Sequence, residues 1–504
     1  MSRSPLATPE PRRKYLPWII GGLVLAALAA AALLSAITDS IGVPPRLLAP
    51  YIERRTTGHN PNIEQTGRRF GQTLTALDRP AQRSAELPPI RIGAQGFAPA
   101  LAKVAGTSDI VVTSASQALS AIDRAEAGAV ITFLPGAYRF GSASIAVNRA
   151  GTANSPIRVR AVRPGTVILE FDMVEGFHVS APYWSFENLT IRGVCANHSS
   201  CEHAFHVVGK AAHFSARNNT IVDFNAHFKI NGSGALFPDH GIIEGNTLTN
   251  SSIRRTDNPV TPIDLVAASH WVVRNNLITD FVKAGSDQIS YGGFAKGAGA
   301  DNRFEKNVIL CEHRLQNIAG RRVGLSLGGG GTSPAACRDG RCVVEQENSA
   351  IQANLIAFCS DDGIYVNRAA RSRIADNTLI DTAGIAVRFP ESSAEVEGNL
   401  VDGVIRSRDG GLLHDTDNHA STLTRLYLGS HPVRSLFVDA KGLNFAWRAD
   451  PPHRATADTA PLDLCGGERL SPPSYGAFED FSRCLDIAGK TSLGPKQSLL
   501  VSPG

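Results

Sequence analysis

Aromatic residues are scarce in this sequence, at 7% of 504 positions, with only 2 Met and 4 Trp. Large rings dominate most globular cores. Their scarcity, beside 47 Gly, suits a fold with many turns and small stacked side chains. An excess of charge is also missing. Formal charge is +4, and Arg3, Arg12, Arg13 and Lys14 against Glu10 supply most of it before the first apolar segment. Beyond that segment 46 basic residues face 45 acidic ones. No basic patch stands out, so nucleic acid is not expected as a partner. There is no Cys-x-x-Cys and no His-x-x-x-His, so a zinc site on the cysteines is not expected, and His198, His203 and His206, clustered near Cys195 and Cys201, have poor spacing for metal ligands on one face. The run GLSLGGGGT near Gly328 lacks the Lys-Ser/Thr and helix of a phosphate loop. It reads instead as a flexible loop over a groove.

One long apolar run is present. Leu16 to Ile37 carries no charge over 22 residues, and a bilayer core needs about 20. The basic cluster precedes it and should stay inside, which exports the C-terminal bulk to the periplasm or extracellular space. A cleaved signal peptide is the rival reading, but its apolar region is usually shorter, about 7–15 residues. All eight Cys follow the run. Cys195 and Cys201, Cys337 and Cys342, and Cys465 and Cys484 are close pairs, and Cys311 and Cys359 remain. An even count in an exported chain points to disulfides.

The chain divides into a basic tail at 1–15, a transmembrane anchor at 16–37 and a Pro-rich stem at 38–108. A repeat domain follows at 109–410, then C-terminal strands, a cap and a tail at 411–504. Within the stem, Asn62 to Leu77 is compatible with a short helix packed on the domain. Ser114 and Gln117 have capping-box spacing. The helix they open presents Leu119, Ile122 and Ala125 on one face, and Gly128 is placed to end it. It would plug the open end of a stack of strands.

The repeat decides the fold class. ENLTI at Glu187 returns as NNTIV, GNTLT, NNLIT, KNVIL, ANLIA, DNTLI and GNLVD. Its second-position residues are Asn188, Asn219, Asn246, Asn276, Asn307, Asn354, Asn377 and Asn399. The spacings are 31, 27, 30, 31, 47, 23 and 22. The shortest approach one bare coil, and the longer ones hold loops. Stacked Asn amides at one corner bond from coil to coil. The expected architecture is all-β: a right-handed parallel β-helix, a solenoid capped by an N-terminal helix and preceded by a single transmembrane helix.

A second strand follows each Asn strand: HAFHVV, AHFKIN, TPIDLV, DQISYG, VGLSLG, DGIYVN and GIAVRF. Alternation assigns Phe205, Val207, Phe228, Ile230, Ile263, Leu265, Leu325, Leu327, Ile364, Val366, Ile385 and Val387 to the core. It turns His206, His227, Lys229, Asn231, Asp264, Tyr365, Asn367 and Arg388 outward, with Gln288 beside them. Cations, imidazoles and a phenol on one face can hold a substrate carboxylate and move protons. Lys229, Arg322 and Arg388 are candidates to hold the carboxylate. His227, Lys229 and Tyr365 are candidates to move protons. His206, Asn231, Asp264, Gln288, Asn367 and Arg388 are candidates to bind substrate. Asp361 and Asp362 either bind Ca²⁺, the one cofactor left open, or cap a turn before Gly363.

ITFLPGAYRF, the Asn-strand repeats and the closing GAFED resemble exported parallel β-helix proteins of the pectate-lyase-like superfamily. The opening and the tail are similar to chondroitinase-B-like and alginate-lyase-like members. The resemblance spans residues 109–480. It implies a polysaccharide partner and lyase, hydrolase or epimerase chemistry, or a non-catalytic carbohydrate-handling role. The families' active-site motifs do not transfer: no Gly-His-Gly follows Asp361 and Asp362, and Pro238, Asp239 and His240 stand in another order than the epimerases' Asp-Pro-His. Three functions follow as expectations. The first is a lyase on an acidic glycan, and the second a carbohydrate-binding or surface-interaction protein. The third is a glycoside hydrolase, which needs two carboxyls about 5–9.5 Å apart.

Overall fold

The computed structural model describes residues 16–79, 86–94, 109–455 and 462–485. The basic tail at 1–15 lies outside them, as do parts of the stem. The backbone is helical over Leu16–Ile41, but half the side chains of that helix are also outside the described set. Among the described residues no helix is long and apolar enough to cross a membrane.

From Asp109 to Ala420 the chain winds through three parallel sheets of 12, 11 and 10 strands. Neighbours in each sheet come from successive coils, which defines a parallel β-helix. In the 11-stranded sheet Ile191, Ile221, Leu248, Ile278, Ile309, Ile356, Leu379 and Val401 fall in register. All are 0% exposed, and burying each stabilises the stack by about 1.5–3 kcal/mol. In the 10-stranded sheet every residue assigned inward by alternation belongs to the core. Phe177, Phe205 and Phe228 continue that interior as rings stacked 5.2 Å apart.

The Asn corner explains the repeat. Asn276 shows the pattern: its backbone N–H donates to Asn307 Oδ1 at 3.0 Å, and its Nδ2 donates to the Ile243 carbonyl at 2.9 Å. Its Oδ1 accepts from the backbone N–H of Asn246 at 2.8 Å. The ladder runs from Asn219 through Asn399 and gains Asn418. Asn188 is not a rung of it. Thr190 pairs with Thr220, so Leu189 occupies that position, and its N–H donates to Asn219 Oδ1. The first repeat is therefore 30 residues, not 31. Asn188 instead takes the left-handed position just before, at φ 62°, in line with Asn218 at 54° and Gly245 at 65°.

The helix Ala115–Asp123 covers the first coil, with Ser114 accepting from the Gln117 N–H. The C-terminal segment lies against the outside of the 11-stranded sheet. Val433, Phe437, Phe445, Leu464, Phe478 and Phe481 form a second apolar cluster with Val308, Leu310, Leu355 and Leu400. The stem is more ordered than its Pro content suggests. Helices Pro45–Thr56 and Pro61–Asp78 pair with each other. Arg46 is buried between Asp78 and Asp381, 2.8 Å from each. Arg434 joins Asp381 to Asp402 in the same network. The eight Cys form four disulfides: Cys195–Cys201, Cys311–Cys359, Cys337–Cys342 and Cys465–Cys484.

Candidate functional site

The outer face of the 10-stranded sheet carries one continuous row. Pairing aligns His178, His206, Lys229, Asp264, Phe294, Ser326, Tyr365, Ala386 and Arg406. Adjacent strands lie about 4.8 Å apart, so the first four span about 14 Å, while Lys229 and Tyr365 are about 19 Å apart. Groups at that separation cannot act on one bond. The candidates thus divide into two places.

The first place holds His206, Lys229, Asp264 and Asn231. Lys229 is half-buried, and its Nζ donates to Asp264 Oδ2 at 2.8 Å. Asp264 is nearly buried, and its Oδ1 has no hydrogen-bond partner. His206 lies between Glu175 and Asn231, with Nδ1 2.8 Å from Glu175 Oε1 and Nε2 2.8 Å from Asn231 Oδ1. Sequence reasoning had not singled out Glu175, His178, Glu202 or Lys296 for this site. The signal was available for His178: EGFHV alternates like HAFHVV and stacks on it. Lys296 is half-buried with its ammonium 4.3 Å from the Phe294 ring centre.

The electrostatics separate two carboxyls. Burial pushes Glu175 up, but hydrogen bonds from His178 and the charge of His206 outweigh it and hold the carboxyl below its ordinary value. Glu202 goes the other way, raised by burial and then by the negative charge of Glu175. His203 is lowered to about 4, first by burial and then by its electrostatic interaction with His206 and Lys229, so it stays neutral at pH 7. Burial also lowers Lys296.

The second place holds Tyr365 and Arg388. Arg388 Nη1 donates to the Tyr365 hydroxyl at 3.2 Å, and its guanidinium lies 4.3 Å from the Phe389 ring centre. Gln288 is half-buried in a left-handed turn before the strand Ile289–Lys296, and its carbonyl accepts from the Arg321 N–H. Asn367 is nearly buried beside Gly330.

Two expected groups do not reach the face. His227 has the outward parity of Lys229 but is fully buried, with Nε2 3.1 Å from the Thr249 carbonyl. Burial drops it to about 4, and no substrate can touch it. Arg322 is 1% exposed. It is consumed by Glu312 at 2.6 Å and by the carbonyls of Ala319 and Ile318. It holds a loop, not a ligand. Asp361 and Asp362 form a turn: Asp361 Oδ1 accepts the Asp362 N–H, and Asp362 pairs with Arg406 at 2.6 Å. Burial raises Asp362 to about 6 against the opposing pull of Arg406. The Gly-rich loop is pinned, contrary to the flexible loop expected. The buried Glu345 carboxylate accepts from the N–H groups of Gly329, Gly331 and Thr332 and from the Thr332 hydroxyl. Gly328 is required there, since its φ is +75° and a Cβ would lie 1.9 Å from the Asn367 carbonyl oxygen.

No family model and no curated protein matches the chain. Among solved structures it is similar to pectate lyase Pel9A, at 14% identity over 74% of this chain and 97% of that one, with a TM-score of 0.47. It is also similar to an alginate lyase from Paenibacillus sp. str. FPU-7, at 14% identity, 62% and 99% coverage and a TM-score of 0.37. The mannuronan C-5 epimerase AlgE4 A-module of Azotobacter vinelandii gives 14%, 62%, 93% and 0.40. No residue role is carried over from these structures.

Proposed function

We propose that this β-helix protein acts on polysaccharide along the row from His178 to Asp264, and that it cleaves an acidic glycan by β-elimination. One observation carries the reading: two imidazoles, an ammonium and the carboxylates Glu175 and Asp264 converge on four consecutive strands. The substrate carboxylate is met at the His178–His206 end. Lys229 first passes a proton to Asp264, to which its Nζ donates at 2.8 Å, and the neutral amine then takes the proton on the carbon next to that carboxylate. The electron pair left behind forms the new carbon–carbon double bond as the glycosidic C–O bond breaks. Glu202, raised by burial and by the negative charge of Glu175, is the group assigned to deliver a proton to the leaving oxygen. Tyr365 and Arg388, farther along the same face, are extended subsites for the chain.

A hydrolytic reading has its own support in the opposed shifts of Glu175 and Glu202, the pattern of a carboxylate and a carboxylic acid working together. The test is incubation of the full-length chain in detergent micelles with a panel of acidic polysaccharides, with and without Ca²⁺. Absorbance of the unsaturated uronate supports elimination. New reducing ends without that absorbance move the reading to hydrolysis. Silence in both assays leaves carbohydrate binding alone.

The proposal includes location. The uncharged run Leu16–Ile37, the basic residues before it and the fully paired cysteines support a single-pass anchor with the β-helix outside the cytoplasm. Protease digestion of intact and permeabilised cells tests this, and cleavage of the β-helix only after the inner membrane is opened would refute it.

A further inference from the structure

His206 faces an acceptor on both sides. Its Nε2 is 2.8 Å from Asn231 Oδ1. The Asn231 amide is fixed in that orientation, because its Nδ2 donates to the Gly232 carbonyl at 2.9 Å. Turning it round would set two oxygens against each other. Nε2 therefore carries a hydrogen. A neutral ring would then aim the bare Nδ1 lone pair at Glu175 Oε1, 2.8 Å away. A positive centre belongs between them, either a second ring proton or a metal ion. His178 adds a third donor, with Nδ1 3.1 Å from the other Glu175 oxygen. One ligand atom from each of the three lies within 4.8 Å of the others. Neighbouring ligands of a tetrahedral zinc with bonds of 2.0–2.1 Å stand about 3.3 Å apart. The two imidazole contacts at 2.8 and 3.1 Å are to different Glu175 oxygens, so admitting the ion takes an opening of these contacts with the three ligand atoms kept within 4.8 Å.

We propose that Glu175, His178 and His206 form a binding site for a divalent transition metal of the zinc class. Two imidazoles and one carboxylate suit that class, whereas Ca²⁺ and Mg²⁺ take oxygen ligands. Asn231 is the outer partner that a metal-bound imidazole requires to fix its tautomer and orientation. Three protein ligands leave a position open, and the side chains of His178, Glu175 and His206 are partly exposed, at 36%, 28% and 17%. An oxygen ligand such as a uronate carboxylate fills that position. Only this last identification rests on the glycan reading. The metal site is independent of it.

The experiment uses the full-length chain, stripped with chelator and titrated with Zn²⁺ by calorimetry and with Co²⁺ by visible absorption. One ion per chain is expected, with the absorption of low-coordinate Co²⁺. Affinity should fall at least tenfold in His206→Ala and Glu175→Gln, and about tenfold in Asn231→Ala. If His206→Ala misfolds, Glu175→Gln, which keeps the shape, carries the test. His240→Ala is the control. It sits in a separate exposed stack of His213, His240 and His270, with rings 5.1 and 4.6 Å apart. Binding should survive that change. Absent stoichiometric binding, binding that persists in Glu175→Gln, or binding lost in His240→Ala overturns the site. Intact metal binding with no cleavage of any glycan would remove the enzymatic reading and leave the site standing.

Discussion

Replacing Asn276 by Ala tests the Asn corner at its middle. The substitution removes the Oδ1 that accepts the Asn246 backbone N–H and the Nδ2 that donates to the Ile243 carbonyl. Both Asn246 and Ile243 are 0% exposed, so water does not replace the lost partners. The backbone N–H of Asn276 keeps Asn307 Oδ1. The Asn246 N–H is thus orphaned at about 1–3 kcal/mol, and the Ile243 carbonyl, inside its paired strand, loses one partner. Asn418→Ala is the comparison. It breaks the same kind of bond, to the Asn399 N–H, but Asn418 is itself half-exposed, so its removal opens that N–H to water and about 1 kcal/mol is expected. Urea denaturation gives the two differences. Hydrogen exchange adds location, because elongated repeat folds open locally. Exchange in Asn276→Ala should rise first in peptides covering residues 243–248. Equal costs for the two variants, or no local rise, would refute the view that the corner Asn are structural.

Other consequences follow from the buried charges. Arg46→Ala leaves Asp78 and Asp381 without their shared cation and should destabilise the protein by about 3–5 kcal/mol. Limited proteolysis should then cut between residues 45 and 78 before the β-helix. His227 is held neutral when folded, at about 4, against about 6.5 when unfolded. Its folded value is the lower one, so the unfolded chain takes up the proton more readily. Stability from this group is full above about pH 6.5 and is lost as pH falls toward 4, by about 3 kcal/mol in all. Urea denaturation of His227→Gln at pH 7 and pH 4.5 should show a smaller loss on acidification than the unsubstituted chain, and an equal loss would contradict the assignment.

Much of this fold is legible in the chain because period and parity are local. Alternation in HAFHVV and AHFKIN fixes which side chains enter the core, and pairing of coils adds no ambiguity once the Asn positions are found. The one-residue slip at Asn188 arose because ENLTI contains an Asn at the left-handed position, while its ladder position is Leu189. Periodicity says little about what covers an outward residue. His227 and Lys229 share parity, yet one is sealed and the other reaches solvent, and that depends on loops distant in sequence. Arg322 illustrates the same limit, since its partner Glu312 lies ten residues back across a turn. The Glu175, His178 and His206 group was hidden because its members come from two coils. Only the 4.8 Å stacking of strands brings them together.

The central claim is that chemistry occurs at Lys229 and that Tyr365, about 19 Å along the face, serves only chain binding. The most direct test compares kcat and KM for elimination on the glycan that the panel identifies, in Lys229→Ala and Tyr365→Phe. The account predicts at least a hundredfold loss of kcat in Lys229→Ala, and a change confined to KM in Tyr365→Phe. Full kcat in Lys229→Ala, or collapse of kcat in Tyr365→Phe, would contradict it and move the site along the face.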